Sequence, residues 1–169
     1  VHTMWPTPGQ EEPDPSQNAN VGDIKFTRFM SDGSAEFASS NEFVEISNIG
    51  NEIATLNGWT LRHTSSSNSV FEALFTDFSI PANSAIILTG DANSLANYED
   101  GVIVEMDTVL NGSVYLSDSG AALQLVNPNG IIADTIVYGN GPVDVEGWSG
   151  ISLVEPFTGI DHLIYHRGD

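Results

Sequence analysis

The sequence predicts an all-β protein, built as a β-sandwich. Three observations carry that expectation. About eight to ten short apolar runs, separated by turn-forming residues, recur along the chain. No long amphipathic helical pattern and no repeat of fixed period interrupts them. The 169 residues suffice to bury a sizeable core without disulfides, and cysteine is absent.

The organising stretch is Asn41 to Asn48, followed by Asn57 to Leu61. Val44 and Ile46 fall on one face of the first run, with Phe43, Glu45 and Ser47 on the other, because side chains alternate along a strand. Trp59 and Leu61 share a face just after Gly58, which is free to take turn dihedrals. These four apolar residues are the expected seed of the core.

Residues 1–20 hold Pro6, Pro8, Pro13 and Pro15 with Gly9, Gln10, Glu11 and Glu12, too few apolar groups to pack a core of their own. They form an expected arm. Met4 and Trp5 are its large apolar groups. They either fold back on their own domain or anchor the arm on a neighbouring subunit as an added strand. Val21 to Met30 reads as the first strand, with Ile24, Phe26, Arg28 and Met30 alternating with Lys25, Thr27 and Phe29. Ser31 to Ser34 is a turn and Glu36 to Ser40 an extended bridge into the seed. Further strands are expected over Val70 to Phe75, Ala85 to Thr89, Val102 to Met106 and Leu110 to Leu116. The loop Gly90 to Gly101 carries Asp91, Glu99 and Asp100, and Leu95, Ala96 and Tyr98 can make one helical turn within it. Ala121 to Val126 and Ile131 to Tyr138 flank Asn127, Pro128, Asn129 and Gly130, a hairpin whose proline suits the second position of a type I turn. Leu123 and Leu125 share a face. Asp134 is expected to hydrogen-bond locally on the returning strand. Beyond Gly139 the pattern is less regular, with Ile151 to Val154 and His162 to Arg167 as candidate edge strands.

The pattern Glu42, Phe43, Val44, Glu45, Ile46, any residue, Asn48, then a short acidic turn, then Leu56, any residue, Gly58, Trp59, any residue, Leu61, resembles the lamin tail domain. Phe78 to Ser84 and Gly120 to Asp134 are similar to that family's strand-turn and late hairpin. Gly147 to Gly150 is similar to the tail that closes such domains in secreted prokaryotic proteins. The resemblance runs from about Ile24 to Gly139. It implies an immunoglobulin-like β-sandwich over residues 21–139, with an N-terminal arm over 1–20 and a C-terminal extension over 140–169. It also implies an extracellular setting, where such domains often stand beside nuclease or phospholipase D-like domains.

Asp and Glu number 23 against 4 Lys and Arg, a formal net charge of −19, and Lys25 is the only lysine. Most carboxylates must then be hydrated, screened by salt or held on cations. Nucleic acid and anionic membranes are excluded as expected partners, since both select basic surfaces. No apolar run approaches the roughly 18 residues of a membrane span. The absence of cysteine leaves the compartment open, because many secreted archaeal and bacterial proteins lack it. The chain begins at Val1 rather than Met, as expected of a processed or excised product.

Catalytic patterns are missing. Ser149 lacks the spacing of a nucleophile elbow. His162 and His166 share a strand face but make an incomplete zinc site. The His-x-Lys pair of a phospholipase D site cannot form with Lys25 alone. Asn111, Gly112 and Ser113 make one glycosylation sequon, and Arg167 to Asp169 match a cell-adhesion tripeptide that chance readily supplies. Among oxygen-rich sets, Asp91, Asn93, Glu99 and Asp100 crowd one loop, and Ca²⁺ is the hard cation they would take. No cofactor is required. The expected function is a non-enzymatic, extracellular or cell-surface structural subunit that self-assembles into a filament, tube or surface layer, through its arm and exposed strand edges, with cations offsetting repulsion. The alternative is a binding module of a larger secreted enzyme, with a cell-surface protein or glycan as its partner.

Overall fold

Two five-stranded sheets face each other and close on one core. The computed structural model of the chain describes residues 20–31, 42–95, 101–112, 114–117, 119–149 and 165–166. The strands are β1 (Ile24–Met30), β2 (Phe43–Asn48), β3 (Ala54–Thr55), β4 (Thr60–Ser65), β5 (Val70–Phe75), β6 (Ser79–Ile80), β7 (Ser84–Thr89), β8 (Ile103–Glu105), β9 (Leu110–Gly112), β10 (Gly120–Val126), β11 (Ile132–Gly139) and β12 (Tyr165–His166). Two single-turn helices, α1 (Ala92–Leu95) and α2 (Met106–Val109), flank β8. The first sheet runs β12-β1-β2-β7-β8 and the second β11-β10-β4-β5-β9, while β3 and β6 make a small ribbon. Pairing among the described strands is antiparallel except between β7 and β8.

The core forms where apolar alternation on the two sheets meets. Val44 and Ile46 of β2 point inward from the first sheet with Ile86 and Leu88 of β7. Leu61 of β4 and Leu123 and Leu125 of β10 answer from the second, with Trp59 just ahead of β4. The two halves of the seed therefore lie in opposite layers. Gly58 has φ +79°, and this left-handed residue lets the chain turn from the ribbon into β4. Across the layers, the Phe29 and Tyr138 rings sit 4.8 Å apart, and the Tyr138 hydroxyl accepts from the Ser117 amide at 3.0 Å.

One face assignment differs from simple alternation. The β1–β2 register skips Thr27, a β-bulge, so the pattern shifts by one residue. Phe29 consequently joins Ile24 and Phe26 in the core, whereas Met30 joins Phe43 and Ile87 in a second buried cluster on the opposite side of the sheet.

The hairpin forms as its turn residues dictate. Gly130 N donates to Asn127 O at 2.9 Å, and the Asn127 side-chain oxygen accepts from Asn129 N at 3.0 Å and Ile131 N at 2.8 Å. After β11 the chain doubles back over the outward face of β10 and β11. There Gln124 Nε2 and Thr135 Oγ1 both donate to Glu146 O, at 2.8 and 3.0 Å. Ala122 and Val137 on the same outward face are buried, and Trp148 packs against the core cluster. β12 takes the edge beside β1, opposite Arg28 and Phe29. The arm over 1–19, the turn at 32–34, the bridge at 36–40 and the candidate edge strand at 151–154 lie outside the described residues.

Candidate functional site

The expected cation loop is only partly described. Asp91 follows β7, where Thr89 Oγ1 donates to Glu42 O at 2.8 Å and accepts from Asp91 N at 3.3 Å. Asn93 is exposed in α1, while Glu99 and Asp100 lie outside the described residues. Among the described residues, no three or more His, Asp or Glu side chains gather closely enough to hold a metal ion. Met4 and Trp5 lie outside the described residues, as do His162 and Arg167 to Asp169.

Several polar groups singled out by the resemblance are structural. Asn48 is buried at the end of β2. Its Nδ2 donates to Glu52 O at 2.7 Å and to Ile80 O and Pro81 O at 3.1 Å, while Oδ1 accepts from Gly50 N at 3.0 Å. One amide thus ties the turn after β2 to the junction of β6 and β7. Glu45 lies across from Arg28, which approaches Oε2 through Nε and Nη2 at 3.0 and 2.7 Å, and Oε1 accepts from Thr27 Oγ1 at 2.6 Å. The guanidinium also lies 5.5 Å from the centre of the Phe43 ring. Glu45 is therefore a partnered carboxylate on the sheet surface.

Asp134 has a wider reach than a local role within its strand. It points inward beside Leu125, is buried, and its Oδ2 accepts from Phe26 N of β1 at 2.8 Å. Close by, Lys25 Nζ approaches Ala133 O at 3.4 Å. The carboxylate thus clasps β11 to β1, joining the two sheets along one side. Nothing in the strand pattern signalled this partner, 108 residues away.

His63 is the least expected core residue. It is inward-facing on β4, fully buried, and neither ring nitrogen has a hydrogen-bond partner. Its ring lies 4.8 Å from Tyr115 and 5.8 Å from Phe71, which are themselves 5.3 Å apart. Burial lowers its pKa below the ordinary 6.5, with a smaller opposing pull from its own main chain.

The outward face of the second sheet is divided in two. Its β10–β11 half lies under the strap. On its β4–β5 half, Val70 is 56 % exposed and Leu74 42 %. Between them Glu72 Oε1 accepts from Arg62 Nε at 2.7 Å, and Arg62 Nη1 also reaches Gln124 Oε1 at 3.3 Å. β9 covers only Ala73–Phe75 of the six-residue β5. A shallow polar groove of about 330 Å³ runs beside the β4–β5 turn, between Ser66 and Asn68 and the strap residues Gly141 to Asp144.

The described residues thus offer surfaces and edges as their candidate functional features. No helix among them is long and apolar enough to cross a membrane. No curated protein matches the chain. The family model of the lamin tail domain matches residues 17–140, spanning both sheets apart from β12. On that match, and on the immunoglobulin-like sandwich beneath it, the chain belongs to the lamin tail domain family.

Proposed function

We propose that the domain is a non-enzymatic extracellular structural subunit that self-assembles through its N-terminal arm and its sheet edges. The observation that carries this reading is how briefly the edges are covered. Among the described residues, three of the four outermost strands, β12, β8 and β9, have two, three and three residues, each beside a strand of six or more, while the fourth, β11, has eight. Unpaired main-chain groups beyond a short edge strand are a natural template for a strand from another chain. Exposed Val70, Leu74 and Tyr115 near the β5 edge favour the same reading. Assembly must overcome nineteen formal negative charges per subunit, so salt or Ca²⁺ promotes it by screening or binding carboxylates, with Asp91, Asn93, Glu99 and Asp100 as the candidate loop.

The test is sedimentation velocity and electron microscopy of the protein with and without residues 1–20, in low salt, high salt and millimolar Ca²⁺. Concentration-dependent assembly that is lost with the arm is the expected outcome. Assembly unchanged by the deletion removes the arm from the proposal. A monomer under every condition overturns the structural-subunit reading.

The polar groove beside the strap favours a second reading, a binding module of a larger secreted enzyme. Its hydroxyl, amide and carboxylate lining suits a glycan or a protein loop. That reading predicts a monomer that binds cell-wall glycan, with binding reduced by Asn68→Ala or Asp144→Ala.

A further inference from the structure

We propose that the open β4–β5 half of the second sheet is a self-complementary contact, which packs against the same half-face of a second copy of this chain. The inference rests on the self-assembly reading above and adds a sheet face to its arm and edges.

The argument begins with which half of the face is covered. Over β10 and β11, Ala122 and Val137 are buried, and the strap satisfies Gln124 and Thr135. Over β4 and β5 the outward residues are Thr60, Arg62 and Thr64, opposite Leu74, Glu72 and Val70 in register. Leu74 and Val70 are exposed, so an apolar pair flanks a central ion pair.

Charge decides which partner fits. In a chain of formal net charge −19, a second copy is repelled by most of this surface. This patch carries one cation and one anion, side by side at 2.7 Å. Consider a twofold axis running along the strands, between β4 and β5. It lays β4 of one copy over β5 of the other, as in aligned sheet packing about 10 Å apart. Arg62 then meets the partner's Glu72, and Glu72 meets the partner's Arg62. The four charges alternate. Val70 and Leu74 fall on the methyl groups of Thr64 and Thr60. An axis across the strands would instead set Glu72 against its own copy, a like-charge contact that disfavours that arrangement. An acidic, basic or purely apolar partner would leave one of the two charges unmatched, whereas the same face matches both.

The contact is two to three strands wide, smaller than the roughly 800 Å² per partner of a standard interface. It therefore associates weakly as a lone pair of subunits and gains strength when a second contact joins the same copies.

The experiment uses the full chain with Arg62→Glu and Glu72→Arg, separately and mixed, in sedimentation velocity at matched protein and salt concentrations. Each variant alone sets like charge against like, so its association weakens by about tenfold or more. An equimolar mixture restores association, because each variant supplies the charge that the other lacks. Val70→Ser with Leu74→Ser, both at exposed positions, weakens association without altering charge. Thermal melts establish that each variant is folded. If the wild-type chain associates and the two charge variants associate equally well alone, or if their mixture shows no recovery, the patch is overturned while self-assembly stands. If the wild-type chain stays monomeric at every concentration and salt level, both fall.

Discussion

The clasp between β11 and β1 can be measured directly. Asp134→Ala removes the acceptor that faces Phe26 N at 2.8 Å and leaves that amide buried. A hydrogen bond to a charged group contributes about 1.5–3 kcal/mol, and an unsatisfied buried donor costs about 1–3 kcal/mol. These overlap rather than add, so the expected loss is about 2–4 kcal/mol. For a chain of this size each kcal/mol lowers Tm by about 2–4 °C, which gives a shift of roughly 4–16 °C. Urea unfolding followed by circular dichroism gives the free energy, provided the slope against denaturant stays constant. Asp134→Asn keeps a side-chain oxygen for the same amide and should recover about half of the loss. A loss under about 1 kcal/mol for Asp134→Ala would refute the clasp. Equal losses for Ala and Asn would refute the hydrogen bond as its cause.

Other consequences follow from the same geometry. His63 is buried without a partner and its pKa is lowered, so the folded state resists its protonation while the unfolded chain takes a proton near pH 6.5. Its contribution is fully present above that pH and declines as pH falls below it, by at most about 1.4 kcal/mol per pH unit. His63→Phe retains a ring beside Phe71 and Tyr115. The difference in unfolding free energy between wild type and variant should shrink in favour of the variant from pH 7 to pH 5.5, and a constant difference would count against it. Asn48→Ala breaks three donated bonds and one accepted bond, and should cost about 2–4 kcal/mol by thermal or urea unfolding. Gly141→Ala would place a methyl group 2.5 Å from Ala121 O, so it should lift the start of the strap and lower Tm, with the emission of Trp148 reporting the change.

The all-β class and the core seed were legible because period-two alternation is a local property. Val44, Ile46, Trp59 and Leu61 face inward as their spacing predicts. Their placement in opposite sheets was not legible, since which strands pair depends on contacts far apart in sequence. Phe29 escaped for a different reason. A single bulge at Thr27 reverses every face after it, and no turn residue marks the spot. Asp134 read as a local group because its partner lies on a strand 108 residues away. His63 carries no local mark of burial, and only the fold surrounds it with Phe71 and Tyr115. The proposed contact surface was the least legible. Arg62, Glu72, Val70 and Leu74 are ordinary strand residues until the register aligns them and the strap leaves them open.

The strap also separates two boundaries that are easily equated. The family match ends at residue 140, directly after the last long strand. The foldable unit extends further, because Gln124 and Thr135 hand their side-chain donors to the carbonyl of Glu146. A fragment trimmed to the homologous region would lose that acceptor and uncover the sheet face on which Gln124 and Thr135 lie. It would behave as a sticky truncation, and aggregation of such a fragment would say little about how the intact chain associates. Any fusion or excision of this domain should keep the strap and the β12 strand beside β1.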